Sequence, residues 1–510
     1  MLRSRSKNVT EGMKWGVISQ VVTTLLPFIS RTVMLYTLGT EYLGLGGIFN
    51  SILKVLSLTD LGIASAIAYN LYKPLSENNK TQVCALLNLF RRCLLVAGTI
   101  VVIAGIVLLP NIKNFISGDV PDNLNVYVLF VLYLLNTACS YFTVAHKRML
   151  LEAAQRVDII NIVSLSVTST QYIAQIVVLL LLKNYYLYVL IMLLSTIINN
   201  LCIGIASKKI FPEYHAEGNV DRAIYPDIIH RVKGVFVQKI SYTVVNSADT
   251  IVISSFLGLR ILGIYQNYYF IITILCAFAA IIISALTPSV GNCWATASKE
   301  KNLKQFKMFD CLYSWIITWC TACIVSLCQP FILTWVHQEN MLPNIFAALI
   351  GLNFYVMKNN DMVTIYKQAS GVWWEGRWIT LIAAITNLVL NIVLVKVIGL
   401  SGILIATAFS LLFIDQVFNS RYLFTVGFQM PSEYFVYIKK KVIMLVEACV
   451  CVALTYRVCV LIPADGLLAF VLRVPICIII PNILLLFFNW KNDDFREGVK
   501  FAFNIIKKKI

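Results

Sequence analysis

Gln20, Thr24 and Arg31 are spaced i, i+4 and i+11, so a helix carrying them sets an amide, a hydroxyl and a guanidinium on one face. Gln238, Tyr242, Asn246 and Asp249 share a face in the same way, and at a shift of 218 residues Arg31 falls on Asp249. Both sets lie in apolar stretches, where a charge costs roughly 3 to over 10 kcal/mol unless it is paired or meets water. Two readings stay open. Arg31 and Asp249 form a structural ion pair, or they face a polar passage in which a guanidinium fork suits phosphate oxygens. Lys54, well inside an apolar stretch, and Lys239 are further cations of this kind, and Asp60 is a further acid. The run Gly263-Ile-Tyr-Gln-Asn-Tyr-Tyr269 adds the amides of Gln266 and Asn267 among tyrosines. Such a cluster suits sugar contact, and an aromatic belt at a membrane interface has the same composition.

The elements that must position these residues are set by composition. Residues of the set AVILMFWYC make up 59% of the 510 and DEKR only 13%, against about half and about a quarter in soluble proteins. So few charges cannot cover a soluble body, and so apolar a chain is not disordered. A polytopic all-α membrane protein remains. Its net charge of +17 then reports basic loops and anionic lipid rather than nucleic acid. Cys320 and Cys323 form a CxxC without a charged or His neighbour, and the four His are isolated. This pattern implies packing; neither a metal nor a cofactor is expected.

A bilayer core of about 30 Å takes about 20 helical residues. Fourteen apolar stretches meet that length, at 14–38, 43–69, 85–109, 124–145, 159–182 and 185–206, then at 232–256, 261–290, 309–333, 343–366, 377–397, 400–422, 442–462 and 467–488. With the N-terminus inside, thirty of the 42 Lys and Arg fall on the inner side, five on the outer side and seven within spans. This asymmetry predicts cytoplasmic termini. Connecting loops are too short to hold a catalytic domain, so the expectation is a carrier rather than an enzyme. Asp415 and Glu447, near inner ends, are read as snorkelling, and Lys358 with Asp361 as neutralising each other. The end, 493–510, has an apolar stripe at Phe495, Val499, Ala502 and Ile506 beside several lysines, which predicts an amphipathic helix on the inner leaflet.

The chain also repeats itself. Gly16-Val-Ile-Ser-Gln20 returns as Gly234-Val-Phe-Val-Gln238, and Leu38-Gly39 and Leu43-Gly44 return 219 residues later as Leu257-Gly258 and Leu262-Gly263. Six spans separate the copies, so both have one orientation: a parallel repeat about an axis along the membrane normal. The expected organisation is a six-helix lobe at 1–206, a cytoplasmic connector at 207–231, a second six-helix lobe at 232–424, and two additional helices with a basic tail at 425–510.

Arg31-Thr-Val-Met-Leu-Tyr-Thr-Leu-Gly39, Glu41-Tyr-Leu-Gly-Leu45, Leu58-Thr-Asp-Leu-Gly-Ile63 and Leu71-Tyr-Lys-Pro-Leu75 resemble the polysaccharide repeat-unit flippases. So do Asn246-Ser-Ala-Asp249, Ser289-Val-Gly291 and Gln329-Pro-Phe331. Those flippases belong to the multidrug/oligosaccharidyl-lipid/polysaccharide exporter superfamily. The resemblance covers roughly 12–410. It implies two lobes around a cavity lined by the first, second, seventh and eighth spans, in a bacterial cytoplasmic membrane. The implied cargo is an undecaprenyl-pyrophosphate-linked oligosaccharide. A coupling cation (Na+ or H+), polysaccharide-assembly proteins and membrane lipids are the other implied partners. The alternative within the superfamily is a cation-coupled exporter of drugs or other small molecules.

Overall fold

The protein is described by a computed structural model over residues 5–57, 63–118, 120–144, 146–221, 225–372 and 376–507, with side chains given except at 5–19, 65, most of 225–238 and 502–507. Asp60 lies outside the described residues. The chain forms two compact units, Met1–Gly263 and Ile264–Ile510. The sequence places the division at the connector 207–231, whereas the first unit also takes in the helix after it.

The first unit holds α1 (Arg5–Thr37), α2 (Thr40–Leu56), α3 (Ile63–Ser76), α4 (Lys80–Leu108), α5 (Val126–Phe142), α6 (His146–Ala153), α7 (Val157–Leu181), α8 (Tyr185–Ile210) and α9 (Tyr225–Leu257). α10 (Leu259–Thr296) crosses the boundary. The second unit continues with α11 (Lys299–Val336), α12 (Ile345–Asn359), α13 (Asp361–Ser370), α14 (Arg377–Ile398), α15 (Leu400–Phe409), α16 (Val417–Tyr422), α17 (Pro431–Val460), α18 (Gly466–Asn489) and α19 (Asp493–Lys507).

Among the described residues ten helices are long and apolar enough to span a bilayer, or eleven if the bent pair α5–α6 counts as one. The other three predicted stretches fall on α1, on α2 with α3, and on α12 with α13. Among the described residues all fourteen stretches are therefore helical for most of their length, and the chain is an all-α polytopic membrane protein. In α12–α13 the helix breaks at Asn360, and α2 stops at Leu56 well before the apolar run ends.

α9 belongs to the first unit because it packs on α2, α3 and the 3₁₀ turn Leu109–Phe115. Ser117 ties that turn's end to α9, its amide donating to the Ser254 carbonyl at 2.9 Å. The repeat explains the closest approach. Gly39 and Gly258, which precede α2 and α10, have φ of 114° and 91°. A Cβ on Gly44 would strike the carbonyl oxygen of Leu259, and a Cβ on Gly263 that of Thr40. Thr40 and Leu259 are themselves a shift of 219 apart, as are the two glycines. The contact is thus reciprocal, as a two-fold relation requires.

In the second unit α11 is the hub, packing against α12, α17, α18 and α19. Phe306 on α11 meets Tyr366, Phe424, Phe428 and Tyr437 with ring centroids 5.0–5.8 Å apart. The amphipathic helix at the C-terminus forms, as α19, but protein packs against Phe495 and Val499 of its apolar stripe. Phe495 is buried and stacks on Trp315 at 4.6 Å. Gly498 lies so close to Leu312 that a Cβ would stand 2.7 Å from its side chain. Lys440–Asp494 and Lys304–Glu497, both 2.6 Å, fasten the helix to α17 and α11.

Candidate functional site

Arg31 sits on α1, which packs along α7 and so close to α8, the neighbour of α7. Arg31 is half-buried as a residue, but its guanidinium Nη2 is wholly enclosed; its charge is felt at Tyr188 of α8, which Ser30 meets with its hydroxyl. Tyr188 stacks on Tyr185 one turn earlier at 5.8 Å, the planes only 8° apart. The Tyr185 hydroxyl donates to the Tyr42 carbonyl at 3.1 Å, so its 2.9 Å contact with Tyr133 has Tyr133 as donor. Tyr42 in turn donates to Asn123 at 2.8 Å. Tyr133 and Tyr185 are almost wholly buried, and room for their hydroxyls exists because position 46 is glycine, where a Cβ would lie 3.0 Å from both. Arg31 therefore stands within the field of a tyrosine scaffold that joins α2, α5 and α8. Such enclosure holds a guanidinium fork in one orientation, as recognition of a phosphate needs.

Lys54 is exposed in the last turn of α2, one turn beyond the exposed Asn50. Because α2 ends at Leu56, Lys54 lies at a helix end instead of deep in a long span, and a cation there is favoured by the helix dipole. Among the described residues no carboxylate pairs with it. Lys239, Asn246 and Asp249 follow one another on α9, all half-buried; Asn246 donates to the Tyr242 carbonyl at 2.7 Å, and Tyr242 itself is exposed. In the second unit Asn267 is fully buried while Gln266 is half-buried. Tyr268 beside them closes a ring of three hydrogen bonds, accepting from the Leu342 amide at 2.9 Å and donating to Gln329 at 3.0 Å, while Gln329 donates to the Leu342 carbonyl at 2.8 Å. Tyr268 thus anchors a loop, and Gln266 is what this cluster holds least enclosed.

The second unit also contains buried polar groups that periodicity did not single out. Lys441 of α17, which is 7% exposed, donates to Asp310 at 2.7 Å, to the Asn359 side-chain oxygen at 2.8 Å and to the Ser314 hydroxyl at 3.3 Å. Asn360 donates to Asp415, which also accepts from Asn419 at 2.7 Å, so Asp415 is tied inside and does not snorkel. Asp361 accepts from Tyr313 at 2.7 Å and from Lys358 at 3.2 Å. Three consecutive residues at the α12–α13 break thus each serve a separate charged group.

These helices and their connectivity define a polytopic all-α membrane fold. An inward-facing multidrug resistance MATE family transporter of the MOP superfamily superposes with a TM-score of 0.62 at 14% identity, covering 82% of this chain and 96% of its own. The lipid II flippase MurJ in an inward closed conformation gives 0.63 at 13%, covering 94% and 99%. At such identities the likeness is one of fold. No curated protein matches the sequence. The profile of the family described as "Polysaccharide biosynthesis protein" matches residues 9–294, more than half of the chain, and the chain belongs to that family.

Proposed function

We propose that the protein flips an undecaprenyl-pyrophosphate-linked oligosaccharide repeat unit from the cytoplasmic to the outer leaflet for polysaccharide assembly. Membership in the polysaccharide biosynthesis family carries this reading. The fold agrees, being one that a lipid II flippase also has. The chemistry agrees as well: a pyrophosphate needs a fixed cation, and Arg31 beside its tyrosine scaffold is one, with Lys54 and Lys239 as further positive charge. Asp249, Asn246 and Gln266 are the polar groups we assign to the same substrate path, and Asn267 to its support.

The test is complementation of glycan export in a strain lacking its own flippase, with membrane abundance measured in parallel. Arg31→Ala should abolish export at normal abundance. Arg31→Lys should keep no more than about a tenth, since losing one charge-assisted contact costs roughly 1.5–3 kcal/mol and a point charge lacks the fork. If Arg31 binds cargo, Arg31→Ala/Asp249→Ala stays inactive; restored export would make the two residues a structural pair. Full export by Arg31→Ala would remove it from the path. The likeness to a MATE transporter keeps a cation-coupled small-molecule exporter as the second reading. Drug tolerance gained on expression, without glycan export, would favour that reading.

A further inference from the structure

The first unit contains a cavity of about 690 Å³ apart from the residues assigned above. Its walls are α4, the α5–α6 turn, α8 and the stretch 215–217 that follows α8. That stretch is held down by three links to α4: the Lys80–Glu213 ion pair, the His215 amide on Cys84 at 3.4 Å, and Asn88 donating to the Gly218 carbonyl at 2.7 Å. Thr143, which follows α5, is tied to α8 as well, Asn200 donating to its hydroxyl at 2.7 Å. The cavity is therefore a built feature of the unit.

Its charge is unbalanced. Arg91 and Lys147 both line it, and His146 lies within the fields of both. Lys208 adds its field at Lys147. Glu217 is the one carboxylate among the lining residues. Among the described residues neither Arg91 nor Lys147 makes an ion pair. Beside these cations stand Leu95, Phe142 and Leu201, each apolar and 39–45% exposed. Cations that converge beside an open apolar rim match a ligand with an anionic head and a hydrocarbon tail. The connector belongs to the face that the Lys and Arg asymmetry assigns to the cytoplasm, where anionic phospholipid is at hand.

We propose that this cavity binds the phosphate of an anionic lipid from the inner leaflet, with Arg91 and Lys147 on the phosphate and the tail along Leu95, Phe142 and Leu201. The proposal does not depend on which cargo is moved. Glu217 opposes the anion and sets how tightly it is held.

Native mass spectrometry of the detergent-purified full chain tests this, with phosphatidylglycerol as probe, phosphatidylcholine as the zwitterionic lipid and glycerol phosphate as the tail-less anion. Phosphatidylglycerol should bind best. Arg91→Gln/Lys147→Gln should weaken it roughly tenfold or more, as expected for lost charge-assisted contacts. Glu217→Gln should tighten it, a gain that damaged folding cannot mimic. Arg148→Gln, an exposed arginine already paired with Glu152 at 2.9 Å, should change nothing. Unaltered phosphatidylglycerol binding by the double variant, or equal binding of phosphatidylcholine, would overturn the site. Glycerol phosphate binding as tightly as the lipid would leave a free-anion pocket and overturn the lipid assignment.

Discussion

Lys441→Met tests whether α17 is an integral part of the second unit. The substitution keeps the length of the aliphatic stem and removes the ammonium. In the native protein that ammonium lies 2.7 Å from Asp310, 2.8 Å from Asn359 and 3.3 Å from Ser314, so its three donors are all engaged. Asp310, 5% exposed, would be left as a buried charge without its partner. Breaking a buried pair from one side costs about 3–5 kcal/mol. In a unit of this size each kcal/mol moves the melting temperature by about 2–4 °C, so the fall should be on the order of 10 °C. Asp310→Asn added to Lys441→Met should recover much of it, because an ion pair replaced as a whole is often close to neutral. The assay is thermal unfolding of the detergent-purified protein followed by size-exclusion, with the two single variants and the double variant compared. A Lys441→Met protein as stable as the wild type would refute the reasoning, and so would losses that simply add in the double variant.

Gly44→Ala and Gly263→Ala should each lower stability, since the new methyl meets a backbone carbonyl that cannot rotate away; equal melting curves would count against the crossing. A stop after Asn492 should leave an inserted chain that melts several degrees lower, because it removes Phe495 from Trp315 and the partners of Lys440 and Lys304; an unchanged transition would return α19 to the lipid surface. In a background without reactive native cysteines, Cys at 339 should react with an impermeant reagent from outside and Cys at 301 should not. Labelling at 301 would reverse the assigned topology.

Hydropathy was enough to locate the helices, because a bilayer imposes length and apolarity on each span regardless of its neighbours. It failed where a helix ends inside an apolar run. Nothing between 43 and 69 announces that α2 stops at Leu56, so hydropathy places Lys54 deeper than it lies. The stripe on α19 was legible, but a hydrophobic stripe does not say whether lipid or protein covers it. Arg31 was found by charge in an apolar stretch, whereas Tyr188 was hidden in Tyr185-Tyr-Leu-Tyr188, a run with the composition of an interfacial belt. Lys358-Asn-Asn-Asp361 invited an intrahelical pair, which is present; that Asn359 and Asn360 serve Lys441 and Asp415 depends on contacts 55 and 82 residues away in the chain. The repeat was readable in glycines because only they permit the backbones to meet.

That meeting of Gly44 with Leu259 and Gly263 with Thr40 has a consequence for symmetry. A chain of half the length, carrying one copy of the Thr40–Gly44 turn, would make both contacts at once by docking on a second molecule of itself. In such a half-length chain each change at one of these positions would be felt twice. In the single chain the two halves of the crossing are separate codons, and they differ at Thr40 and Leu259, which present only a carbonyl. The positions that must accept that carbonyl are glycine in both copies.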